Sequence, residues 1–240
     1  MKGAIPLCGV QKKLTVLKWF DILILTIILF GDGIINSTLQ YIALQNQTTT
    51  LQENLTFSPM DNYKALALQL VWLTIAIFYL LLRNFDFSIW KKHIFITPWV
   101  PLQAVALFIF SALCLDIYHL VSYQFLASNT PSMFQLFPNI DLSLILYSLL
   151  NGFYEEIFFL NLCLLVNPKY AKWAFLYSLI IRCSFHTYQG LISALGLGLI
   201  LGTIFYLLYQ KIKPKNLLPF FLAHAVADVI GLTVLSYILY

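Results

Sequence analysis

Charge is what this chain has least of. Of its 240 residues, 14 are Lys or Arg and 10 are Asp or Glu, 10% together, against about 25% in a soluble domain. With 60% hydrophobic residues, no water-soluble surface can be built, and the chain reads as a polytopic membrane protein. The basic residues are scattered in short clusters at the ends of apolar segments. The net charge of +4 therefore describes no nucleic-acid-binding face, and no nucleic-acid partner is expected. The four cysteines (Cys8, Cys114, Cys163, Cys183) form no CxxC pair, which excludes a disulfide scaffold or thiolate metal site. Three lie in apolar segments, where a small buried thiol is ordinary. There is no HExxH helix, internal repeat or low-complexity tract.

What is present is a series of apolar stretches. They lie near 19–43, 63–82, 97–122, 141–166, 170–187, 190–209 and 216–239. About 20 residues cross a bilayer as a helix, and all but the fifth are long enough. The expected fold is all-α, a polytopic membrane bundle of about seven transmembrane helices, or eight if a half-span is added. Residues 1–240 read as one integral membrane domain, in contact with lipid and without a separate soluble part.

The basic clusters set an orientation. Lys12, Lys13 and Lys18 precede the first span, and Arg83, Lys91 and Lys92 follow the second. Lys169 and Lys172 lie between the fourth and fifth, and Lys211, Lys213 and Lys215 between the sixth and seventh. The loops near 44–62 and 123–140 hold no Lys or Arg. Seven crossings put every cluster on one side, so the N-terminus is expected in the cytoplasm. The Phe, Ile, Leu, Asn and Lys richness suits an AT-rich bacterial genome, hence a bacterial plasma membrane.

Six of the ten acidic residues (Asp21, Asp32, Asp116, Glu155, Glu156 and Asp228) sit inside these apolar stretches, with Asp141 at the edge of one, and Glu155 and Glu156 are adjacent in LILYSLLNGFYEEIFFLNLCLLV. A carboxylate in hydrocarbon costs roughly 3 kcal/mol or more, so two together must be neutralised, paired or used. Neighbouring helical residues point about 100° apart; one can face a cavity while the other turns to a neighbouring helix. Downstream, His186 ends the short fifth span in RCSFHTYQG, with Arg182 one turn before it as a partner for a glutamate. His224 and Asp228 in HAVAD are spaced i, i+4 and share a helix face. Glu155, Glu156, His186, His224 and Asp228, on separate apolar segments, point to an intramembrane site for hydrolysis. No residue set has the look of an activated nucleophile. Ser184 is near His186 in sequence, but serines are common in membrane helices. Asp21, Asp32, Asp116 and His119 lie in the first and third spans and carry no assigned role.

The order Glu-Glu, then FHTYQG after an arginine, then PFFLAHAVAD resembles the CAAX protease and bacteriocin-processing family, also called the Abi family, of intramembrane glutamic endopeptidases. The resemblance covers about 141–240. Its motifs are EExxxR, matched by Glu155 and Glu156; a histidine, usually in FxxxH, matched by His186; and HxxxN or HxxxD, matched by His224 and Asp228. Two positions depart. Leu160 stands where EExxxR has arginine, and Arg182 stands at the phenylalanine of FxxxH, where it can supply the missing cation. Asp228 stands where many members carry asparagine, and an ionised aspartate cannot donate to an oxyanion; it must be protonated or must orient His224.

The resemblance implies catalysis without a covalent intermediate. Glu155, aided by His186, activates a water, His224 and Asp228 stabilise the oxyanion or orient its donor, Glu156 supports the site, and no cofactor is needed. The expected substrate is a membrane-associated peptide or protein: a prenylated C-terminus, a bacteriocin leader or a signalling peptide. Three alternatives stay open. Glu155, His186 and His224 could ligate zinc. The protein could be a bacteriocin self-immunity protein of the same fold with little protease activity. It could also be a proton-coupled transporter, whose expected internal repeats are absent. One geometric demand remains. If the fifth span crosses fully, His186 ends near the outer face, while His224 lies about 12 Å from the cytoplasmic end. A tilted or re-entrant fifth span brings them together.

Overall fold

The computed structural model describes residues 13–46, 58–126 and 140–239. Cys8, Lys12 and most of the two loops without Lys or Arg lie outside these. Among the described residues the chain is helical, with one isolated bridge between Leu14 and Phe85 and no strand. The helices are α1 (Trp19–Gln45), α2 (Pro59–Leu82), α3 (Ser88–His93), α4 (Val100–Leu126), α5 (Leu142–Phe159), α6 (Ala171–Ser184), α7 (Leu191–Leu195), α8 (Gly202–Lys211), α9 (Leu218–Ile230) and α10 (Leu235–Leu239). A π-helical turn, Gly196–Leu201, joins α7 to α8.

Local chemistry sets the boundaries. Ser58 caps α2 by accepting from the Asp61 amide, with Pro59 in the first turn. The Asp141 carboxylate caps α5 by accepting from the Leu144 amide at 2.9 Å. Gly231, at φ 83°, ends α9 in the left-handed region that glycine enters without strain.

Among the described residues, four stretches are long and apolar enough to cross a membrane: α1, α2, α4 and the continuous Leu191–Lys211. A fifth arises if Leu142–Leu164 and Pro168–Ser184, bent 115° at their junction, form one broken or re-entrant span. Seven separate crossings are therefore not confirmed. The expected fourth and fifth spans are the two arms of this bent pair, and the expected seventh stops at Gly231 after the 13 residues of α9. The bend has local causes. Asn161 leaves helical geometry, a 3₁₀ turn covers Leu162–Leu164, and Asn167-Pro168 restarts the chain. Apolar side chains such as Phe78, Leu82, Ile109 and Ile180 are exposed, as on faces in contact with lipid.

The interior holds two apolar clusters. One gathers α1 and the C-terminal half of α5 around Phe30, which packs 5.0 Å (ring centroids) from each of Phe158, Phe159 and Phe185. The other packs α4, α8 and α9 around Phe205 and Phe220. The site lies where α5 and α9 meet. Their approach requires Gly152: a Cβ there would stand 2.4 Å from the Phe221 carbonyl oxygen, so any side chain would push α9, with His224, away from α5.

Candidate active site

Glu155 and Glu156 lie in the last turn and a half of α5 and are both buried. Their divergence on the helix is filled by His224, which enters from α9 between them. Its Nδ1 is 2.7 Å from Glu156 Oε1, and its Nε2 is 3.8 Å from Glu155 Oε1. Arg182, near the end of α6, donates Nη1–H to Glu156 Oε1 and Nη2–H to Glu156 Oε2, both at 2.8 Å. This is a bidentate pair, the geometry in which arginine is preferred to lysine. The same guanidinium lies 3.9 Å from Glu155 Oε2 and over the Phe159 ring at 4.3 Å. At 2% exposure Arg182 does not reach toward a membrane surface. A carboxylate holding a guanidinium in this way can only accept, so His224 donates Nδ1–H to Glu156 and its Nε2 faces Glu155 and Asp228.

Asp228, one turn beyond His224, has Oδ1 3.6 Å from His224 Nε2. Its Oδ2 accepts from Asn151 Nδ2 at 2.8 Å, and Asn151 Nδ2 also lies 3.2 Å from Glu155 Oε1. Asn151 was not among the residues that sequence reasoning singled out. The signal was its spacing, since it precedes Glu155 by four and so shares that face of α5. Gln69 of α2 was missed too. It donates Nε2–H to Asn151 Oδ1 at 2.6 Å, and its signal was a lone amide inside an apolar run.

Glu155, Glu156, Arg182, His224 and Asp228 thus form one contiguous cluster. His186 stands apart from its hydrogen bonds. It follows the end of α6 and precedes the 3₁₀ turn Thr187–Gln189, which α1 holds in place. Ser37 Oγ is hydrogen-bonded to Thr187 Oγ1 and accepts from the Tyr188 amide, both at 2.9 Å. The His186 ring packs 4.3 Å (centroids) from Phe185 and lies within electrostatic range of Arg182, His224 and Glu156. Two buried atoms here take part in no hydrogen bond among the described residues: Glu155 Oε2 and His186 Nδ1. Leu160, at the motif's arginine position, ends α5 and is buried in the second apolar cluster.

The three residues that offer ligand atoms within 4.8 Å of one another are Glu155, Glu156 and His224. This differs from Glu155, His186 and His224, the set named from sequence for the alternative in which the site holds zinc. Both oxygens of Glu156 already accept from Arg182, so a cation there would stand against a buried guanidinium. Of the other polar residues in the spans, Asp21 pairs with Arg83, and Asp116 caps α10 through the Val234 and Leu235 amides.

Residues 137–230 match the family model described as Type II CAAX prenyl endopeptidase Rce1-like. That segment contains Asn151, Glu155, Glu156, Arg182, His186, His224 and Asp228. The resemblance drawn from the three motifs therefore stands, and at family level the match is to a CAAX-type intramembrane protease. With its apolar helices, the protein is an integral membrane protein. No curated protein and no solved structure matches the chain.

Proposed function

We propose that this protein is a metal-independent glutamic endopeptidase that cleaves a peptide held in the membrane by a lipidated or apolar segment. The observation that carries the reading is the asymmetry of the two glutamates. Glu156 is saturated by Arg182 and His224, whereas Glu155 keeps a buried oxygen, Oε2, with no hydrogen bond among the described residues. Buried polar groups are normally satisfied, so an unsatisfied carboxylate oxygen in a polar cluster is suited to bind a reacting molecule.

Glu155 acts as general base. Its Oε2 takes a proton from a water that attacks the peptide carbonyl carbon, with His186 assisting through Nδ1. The carbonyl oxygen becomes an oxyanion on the side of His224 Nε2; because Nδ1–H is given to Glu156, Nε2 donates there as the imidazolium, a form favoured by the carboxylates of Glu156, Glu155 and Asp228 around the ring. As the tetrahedral intermediate collapses, Glu155 returns the proton to the leaving amine. Arg182 holds Glu156 in place and offsets the negative charge of the pair. The bidentate Arg182–Glu156 contact supports a site without metal. Prenylated C-termini, bacteriocin leaders and signalling peptides belong to the substrate class, the N-terminus lies in the cytoplasm, and the membrane is a bacterial plasma membrane.

The test uses purified protein in detergent and three internally quenched peptides: one ending in a farnesylated CAAX sequence, the same peptide without the lipid, and an apolar leader peptide. Each is assayed with and without 1,10-phenanthroline. The reading expects cleavage of a membrane-partitioning peptide at a rate the chelator leaves unchanged. Cleavage abolished by chelator and restored by zinc overturns the metal-free mechanism, and inertness toward all three overturns the peptidase.

A further inference from the structure

The α2 helix lies outside the segment that matches the family model, yet it is keyed to α5 by two hydrogen bonds along one line of contact. Asn62 Nδ2 donates to Ser143 Oγ at 3.1 Å, and seven residues on, Gln69 Nε2 donates to Asn151 Oδ1 at 2.6 Å. Two turns of helix separate the donors and slightly more the acceptors, so both bonds fall on facing surfaces. Side-chain amides that hydrogen-bond across helices fix orientation in a setting where water cannot compete.

The second bond has a chemical consequence. An asparagine amide has one donor end and one acceptor end. With Gln69 donating to Oδ1, Nδ2 must face the other way, toward Glu155 Oε1 and Asp228 Oδ2. The two N–H bonds of one amide are then shared between two carboxylates. His224 Nε2 faces the other oxygen of Asp228 and the same oxygen of Glu155. Glu155 Oε1 thus accepts from Asn151 and faces His224 Nε2 at 3.8 Å, whereas Oε2 has no hydrogen bond among the described residues.

We infer that Asn151, oriented by Gln69, is the positioning residue that holds Glu155 and Asp228 together and selects Oε2 as the oxygen that receives the proton. The inference rests on the glutamic peptidase reading and deepens it. Asn151 touches no reacting atom and acts through Glu155. The relay makes α2 part of the enzyme: any movement of α2 along α5 is read at Glu155.

The experiment compares Asn151→Ala, Gln69→Leu and the double variant with wild type and Glu155→Gln. All are full-length, purified in detergent, and assayed on the farnesylated peptide with melting temperature measured in parallel. Asn151→Ala is expected to lower kcat on the order of a hundredfold, the scale of a misplaced catalytic group, with KM unchanged. Gln69→Leu is expected to lower kcat about tenfold, as outer partners of functional groups do. The double variant is expected to be no worse than Asn151→Ala, because Gln69 acts only through Asn151. Wild-type kcat in a folded Asn151→Ala or Gln69→Leu overturns the inference, and so do additive effects. If Asn151→Ala fails to fold, Gln69→Leu, which removes no direct contact with Glu155, decides alone. An inactive Glu155→Gln beside an active Asn151→Ala sinks only the inference. An active Glu155→Gln sinks the peptidase reading itself.

Discussion

Two buried arginine–carboxylate clusters sit in this protein, and they differ in completeness. At the start of α1, Asp21 is fully enclosed and fully satisfied. Its Oδ1 accepts from the Tyr79 hydroxyl at 2.6 Å and Arg83 Nε at 2.7 Å, while Oδ2 accepts from the Lys18 amide and Arg83 Nη2. Nothing is left over, and the cluster ties α1 to α2. At the end of α5, Glu156 is as thoroughly satisfied, but its neighbour Glu155 is not. The same residue chemistry is closed in one place and, among the described residues, leaves a buried oxygen without a hydrogen bond in the other. Burial of charge in a membrane helix is thus no sufficient sign of function. What sets Glu155 apart is a carboxylate oxygen that accepts no hydrogen bond among the described residues, inside a cluster of charged side chains.

The largest effect that sharpens this contrast is expected at Glu155. Glu155→Gln keeps the size and the acceptor facing Asn151 but removes the base. Activity should fall on the order of a thousandfold or more, with melting temperature close to wild type. Arg182 comes next. Arg182→Leu leaves Glu156 buried without its cation, a change that costs about 3–5 kcal/mol, and should remove both activity and most of the folded protein. Arg182→Lys keeps the charge but loses the fork, and should retain more of each, as melting curves and cleavage rates measured together would show. Equal outcomes for Leu and Lys would remove the cation from the account. The smallest effect on activity is expected at the other cluster. Asp21→Asn should lower stability by about 1–3 kcal/mol through unsatisfied donors, while the folded fraction cleaves at the wild-type rate.

Much of this was legible in the sequence. The scarcity of charge and the length of the apolar runs fixed an all-α membrane protein, and α1, α2, α4 and Leu191–Lys211 fall where hydropathy placed them. Glu155, Glu156, Arg182, His224 and Asp228 could be named because an ionisable residue in an apolar helix stands out. What hydropathy could not show was direction. A run of apolar residues reads the same whether it crosses or turns back, so the 115° bend between 164 and 168 was invisible. The Asn167-Pro168 pair was its mark in the sequence, and the loss of helical geometry at Asn161 shows only in the structure. Asn151 and Gln69 were missed for a related reason. Uncharged amides carry little weight in a scan for buried charge, and their roles depend on an inter-helix contact that sequence spacing on one helix cannot reveal.

The most direct measurement sets the two clusters side by side: cleavage rate and melting temperature of Glu155→Gln and Asp21→Asn, purified in the same detergent and assayed on the same farnesylated peptide. The account predicts opposite signatures, with Glu155→Gln folded and inactive and Asp21→Asn destabilised but active per folded molecule. A folded Glu155→Gln that cleaves at the wild-type rate would contradict it.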